Sequence, residues 1–152
     1  MCQFKTQRFE LVEIQIPNGT TLTKFNFPDL PNLTGRNGFP VIIDSIVAYD
    51  ATTTPYSPIS GAAVATAADV AKSFLTIYQG DLQVLYNTPL ISLEYVNNGG
   101  TNNSPVVMQP LLKDLINVSW TKSYITYANT SAITGNKVFL IGVHYTVHNA
   151  SY

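Results

Sequence analysis

Apolar and polar residues alternate with a period of two along most of the chain, which is the pattern of half-buried β-strands. Residues 9–16 alternate with one break at Leu11-Val12, which predicts a β-bulge. Pro17-Asn18-Gly19-Thr20 then reads as a turn, because Asn-Gly accepts positive φ, and alternation resumes over 21–27, so these two segments are expected to form a hairpin. Residues 28–40 hold three prolines, two glycines and three Asn or Asp, too many breakers for a regular element. Val41–Tyr49 is a strong strand with Val41, Ile43, Val47 and Tyr49 on one face and Ile42, Ile46 and Ala48 on the other, and is expected at the centre of a sheet with both faces covered.

The second half continues the pattern. Residues 51–61 are rich in Thr, Pro and Ser and are expected as an exposed loop, while 63–71 have the composition of at most two short helical turns. Ser73–Gln79 and residues 82–86 read as a hairpin around Gly80-Asp81, with glycine at the first central position of a type II′ turn. An extended segment follows over 89–96, then the Asn/Gly-rich loop 97–104, then 105–114 as a strand fragment or helical turn crossing an edge. Residues 116–127 are expected as one strand with Ile116, Val118, Trp120, Tyr124 and Thr126 on one face, and 138–148 as the last, with Val138, Leu140, His144 and Thr146 opposing Phe139, Ile141, Val143, Tyr145 and Val147.

About eight strands, with no internal repeat and no shift of composition that would mark a linker, predict an all-β fold in a single domain over residues 1–152. The expected architecture is a two-sheet antiparallel sandwich, jelly-roll-like, with a seven-stranded immunoglobulin-like sandwich and a small barrel as alternatives.

Composition narrows the function classes. Eight Lys and Arg stand against nine Asp and Glu, and only 11% of residues are charged, less than half the usual share. The cations Lys5, Arg8, Lys24, Arg36, Lys72, Lys113, Lys122 and Lys137 are spread along the chain, so no nucleic-acid partner is expected. The opening residues Met1-Cys2-Gln3-Phe4-Lys5-Thr6-Gln7-Arg8 lack the apolar core of a signal peptide, and no apolar run approaches the roughly 18 residues of a membrane-spanning helix. The expectation is a soluble protein made in a cytoplasm, with no membrane partner. A near-neutral surface of Asn, Thr, Ser, Gln and Tyr favours association, and so a protein that works in an assembly.

Catalysis needs a nucleophile beside a base, paired carboxylates or a metal cluster. His144 and His148, four apart on a strand, lie about 13 Å from each other at roughly 3.3 Å per residue, too far to hold one zinc ion. The lone Cys2 has no base beside it in the sequence. Asp44 and Asp50 bracket an apolar strand and could hold calcium with loop carbonyls, but an edge charge and a turn cap are the commoner use of such residues. Gly99-Gly100 lacks the strand-to-helix setting of a phosphate loop. Asn18, Asn32, Asn102, Asn117, Asn129 and Asn149 open Asn-x-Ser/Thr triplets, which without secretion reflect only the abundance of these residues. The expectation is therefore no enzyme, no catalytic residues, no cofactor and no metal.

The segment 74–90, Phe74-Leu75-Thr76-Ile77-Tyr78-Gln79-Gly80-Asp81-Leu82-Gln83-Val84-Leu85-Tyr86-Asn87-Thr88-Pro89-Leu90, resembles the hairpin and following Pro-Leu step of phage and viral jelly-roll structural proteins. The charge-poor, Asn/Thr-rich style resembles them too, loosely extending over 116–147. The resemblance implies a virion component assembled in the host cytoplasm: a small capsid, capsid-decorating, vertex or head-fibre protein whose partners are copies of itself and other virion proteins. The alternative is a carbohydrate-binding or adhesive β-sandwich module, suggested by nine tyrosines, seven phenylalanines and Trp120.

Overall fold

The computed structural model describes residues 2–19, 24–35, 40–93, 95–96, 106–107, 115–127 and 135–151. In chain order the strands are β1 (Cys2–Ile16), β2 (Lys24–Asn26), β3 (Val41–Tyr49), β4 (Ala63–Val64), β5 (Ser73–Gln79), β6 (Leu82–Pro89), β7 (Tyr95–Val96), β8 (Val106–Val107), β9 (Leu115–Ile116), β10 (Tyr124–Tyr127) and β11 (Lys137–Ser151). A five-residue helix, α1 (Ala67–Ala71), separates β4 from β5.

Set aside the two-residue β4 and the small β7–β8 pair, and eight strands remain. They pair as a nest: first with last (β1–β11), second with seventh (β2–β10), third with sixth (β3–β9), fourth with fifth (β5–β6). Pairings of β11 with β3 and of β10 with β5 join the nest into two sheets, ordered β1-β11-β3-β9 and β2-β10-β5-β6. A long hairpin wound into two facing sheets in this order is a jelly roll. The immunoglobulin-like order, in which the first strand pairs with the second, is excluded. One parallel pairing, of β4 with β11, extends the first sheet.

The core lies between the sheets. From the first come Val12, Ile14, Ile16, Val41, Ile43, Ile46, Ala48, Phe139, Ile141, Val143 and Tyr145; from the second come Phe25, Leu75, Ile77, Ile125 and Tyr127, with Phe27 just past β2. Trp120 closes one side, its ring 5.2 Å from that of Phe27 and its indole N–H donating to the Leu33 carbonyl at 3.1 Å.

Several expectations are corrected. Residues 9–16 carry no bulge, since β1 and β11 stay in register from Cys2↔Ser151 to Ile16↔Lys137. The adjacent apolar pair arises because Val12 faces the core while Leu11 packs on the outward side beside Val47, Tyr49 and Leu140. The irregularity lies on β3, where Ile43 opposes Tyr145 but Ser45 opposes His144, leaving Asp44 as the extra residue. That slip reverses the facing of β3, so Val41, Ile43, Ile46 and Ala48 point inward, not the simple odd and even sets.

The expected hairpin of 9–16 with 21–27 does not form, because β2 crosses to the other sheet and pairs with β10. Residues 90–93 make a 3-10 turn instead of a strand, with Leu90 and Leu93 buried at a spacing of three. The expected strand 116–127 is broken at Asn117, whose φ is +50°, and passes from β9 through a 3-10 turn at Trp120–Lys122 into β10 in the second sheet. By contrast β3 and β5 have the predicted bounds, and β3 is central, paired on both sides. Gly80 has φ +62° and Asp81 does not share it, as a type II′ turn requires. The loop 97–104 and most of 105–114 lie outside the described residues; Val106–Val107 is a strand fragment.

Candidate functional site

Among the described residues, the outward face of the β1–β11–β3 sheet joins a group of rings to a polar hollow. Its centre is Gly142, where a Cβ would come within 2.8 Å of Phe9 Cε2 and 3.0 Å of Tyr49 Cε2. The missing side chain lets two rings from the flanking strands settle over β11. Tyr56, from the loop after β3, joins them, 6.0 Å from Phe9 in a stacked arrangement and 5.7 Å from Tyr49 edge-on. Glu13 on β1 pins this loop: its carboxylate accepts the Ile59 N–H at 3.0 Å and the Ser60 hydroxyl at 2.8 Å. Tyr49 is thereby buried, while Phe9 and Tyr56 stay 38% and 41% exposed.

Beside these rings the same face becomes polar. Lys5 lies opposite His148 and Gln7 opposite Thr146 across β1 and β11, and with Ile42 and Asp44 of β3 they line a hollow of about 560 Å³. Gln7 and Asp44 also line an adjoining hollow of about 280 Å³ with Arg8, Ser45 and His144. The bulge brings Asp44 here, and its carboxylate accepts the Thr146 hydroxyl at 2.7 Å. The His144 ring lies 4.8 Å from Phe9, so it joins the aromatic and polar parts.

The two histidines weighed in the sequence thus share the outward face of β11, with Thr146 between them. Asp44 and Asp50 are not brought together. Asp50 is buried just past the end of β3, where its carboxylate accepts the Thr52 N–H at 2.7 Å and hydroxyl at 2.6 Å and the Thr53 N–H at 3.0 Å, the work of a turn cap. Cys2 begins β1 opposite Ser151. Gly99 and Gly100 lie outside the described residues. Among the described residues, no three His, Cys, Asp or Glu side chains gather where they could hold a metal ion.

A second polar cluster is internal. Asp69 closes a capping box with Thr66, and its carboxylate also accepts the Tyr127 hydroxyl at 2.5 Å and the Lys137 ammonium at 3.1 Å. Burial alone would raise its pKa, but donation from Tyr127, the Thr66 backbone and Lys137 more than offsets this and holds it at about 2. Burial and the facing carboxylate push the Tyr127 phenol up to about 12. This cluster ties α1 to β10 and β11, and every polar group in it is engaged with another. Near the middle of β1, burial raises the Glu10 carboxyl; burial, then Glu10, raises the Tyr145 phenol against the opposing pull of Arg8.

The sheet edges differ. β1 ends the first sheet and is guarded by Lys5, Arg8, Glu10 and Glu13. β6 ends the second and reads Leu-Gln-Val-Leu-Tyr-Asn-Thr-Pro, without a charge, and its Leu82 and Tyr86 are 66% and 69% exposed. Sequence reasoning singled out neither this edge nor the Phe9, Tyr56 and Gly142 cluster; the clue to the latter is a lone glycine within the longest apolar strand.

No protein-family model matches the chain, and neither a curated protein nor a solved structure matches it.

Proposed function

We propose that this chain is a structural protein of a virus particle, a small capsid, capsid-decorating, vertex or head-fibre component that acts by assembling with copies of itself. Viral capsid domains are among the main users of the jelly-roll order, together with lectins and cupins, and this fold supports the reading. The observation that carries the reading is the uncharged β6 edge. A strand with its outer backbone groups unpaired by any described strand, without charge and with Leu82 and Tyr86 exposed, is a template for a further strand, limited in length by its irregular pairing near Val84 and Asn87 and by Pro89. Two such edges meeting antiparallel bring no like charges together, which suits symmetric association.

The test is the mass of the purified protein by light scattering over a range of concentration and salt, for the wild type and for Leu82→Lys. A discrete oligomer that the lysine reduces to monomers is expected. A wild type that stays monomeric under all conditions removes the reading.

A further inference from the structure

We propose that the outward face of the β1–β11–β3 sheet is a saccharide-binding site, with Phe9 and Tyr56 as ring platforms and Gln7, Asp44, Thr146 and His148 as hydrogen-bonding groups. A pyranose has two kinds of surface: a face of C–H groups, which packs on an aromatic ring, and a rim of hydroxyls, each needing both donors and acceptors. This face of the protein offers the same two kinds side by side.

The platform is built into the sheet. Any residue other than glycine at 142 would drive its Cβ into Phe9 and Tyr49, so the rings lie low only because that position is vacant of a side chain. Two of the three rings, Phe9 and Tyr56, remain about two-fifths exposed with the loop after β3 held in place by Glu13. Exposed aromatic area is unfavourable relative to burial, and a ligand that covers it recovers that free energy.

The hollow is also of the right kind. It is an open, largely polar depression of about 560 Å³, the form that suits a hydroxyl-rich ligand lying on the surface. Its lining mixes a carboxylate acceptor, an amide that both donates and accepts, a hydroxyl, an imidazole and the Lys5 ammonium, the combination that hydroxyl groups require. A peptide added as a strand is a poor fit, because over this face the backbone of β11 is already paired on both sides.

The experiment is binding of the full chain to a printed array of plant, bacterial and animal glycans. The best-retained glycan is then titrated into ¹⁵N-labelled protein while the amides of Gln7, Phe9, His144 and Thr146 are followed. Retention of a glycan is expected, with shifts confined to these strands and at least tenfold weaker binding for Phe9→Ala and for Gln7→Ala. Gln7 is exposed, so its variant keeps the fold even where Phe9→Ala does not. Leu82→Lys, on the other sheet, should bind as the wild type does, which separates this site from assembly. No retained glycan, or binding undiminished in Gln7→Ala, overturns the proposal.

Discussion

Asp69 shows how much one short side chain organises when it is buried among donors. Its two oxygens receive a backbone N–H, the hydroxyls of Thr66 and Tyr127 and the Lys137 ammonium, from elements 3, 58 and 68 residues away. Its folded pKa of about 2 lies below the ordinary 3.8, so the folded state binds this proton more weakly than the unfolded state does. Stability from this group is therefore complete above about pH 4 and is lost as pH falls from about 4 toward 2. The loss is on the order of 1–2 kcal/mol, after allowing for water that reaches Lys137. Asp69→Asn should be less stable than wild type at pH 6, and the gap should narrow at pH 2.5, as read from urea midpoints at both values. A gap that does not change with pH would assign the cluster a purely steric role.

At the scale of elements, Asn117 decides where one strand becomes two. Its backbone N–H donates to the Val41 carbonyl at 2.9 Å, and its side-chain oxygen accepts the Val41 N–H at 3.0 Å, so a single residue replaces a rung of the β3–β9 ladder. It does so at φ +50°, which asparagine tolerates better than other non-glycine residues. Asn117→Ala should cost about 1–3 kcal/mol by leaving a buried donor unmet at a strained φ. Asn117→Gly, which removes the strain and keeps only the lost hydrogen bond, should cost less; chemical denaturation gives the order, and equal costs would count against the strain.

The same residue shows what was legible in the sequence. Alternation located β3 and β5 within their true bounds because both are strongly apolar runs with punctuation at each end, and the bulge at Asp44 changes the facing of β3 without ending it. It merged β9 with β10 because Val118 and Trp120 keep the strand period while the backbone turns beneath them. It misplaced the bulge because an apolar pair such as Leu11-Val12 looks the same whether the strand is kinked or covered on both faces. Pairing was readable only where a tight turn joins the partners, as Gly80-Asp81 joins β5 to β6; elsewhere a segment that alternates can join any neighbour. The candidate site suffers from the same limit. Phe9, Tyr56 and Gly142 meet only because β1, β11 and the loop after β3 converge, so no local spacing announces them.

For the whole molecule, the nested pairing sets an order of difficulty for folding. The β5–β6 hairpin closes across the two residues Gly80 and Asp81, whereas β1 and β11 must bring together the two ends of the described chain. Loop-closure entropy rises with separation, so contacts should form from the innermost pair outward, and a topology so rich in distant pairings should fold in milliseconds to seconds or more slowly. Ile77 on β5 and Ile14 on β1 are both fully sequestered in the same core, which makes them a matched pair of probes. Ile77→Val should slow refolding by most of its stability loss, while Ile14→Val should leave refolding nearly unchanged and speed unfolding. Stopped-flow chevrons of the two variants give both numbers. The reverse assignment would mean that the long β1–β11 ribbon, the most extensive pairing among the described strands, nucleates the fold despite its span, and that its continuous register outweighs the entropy of closing it.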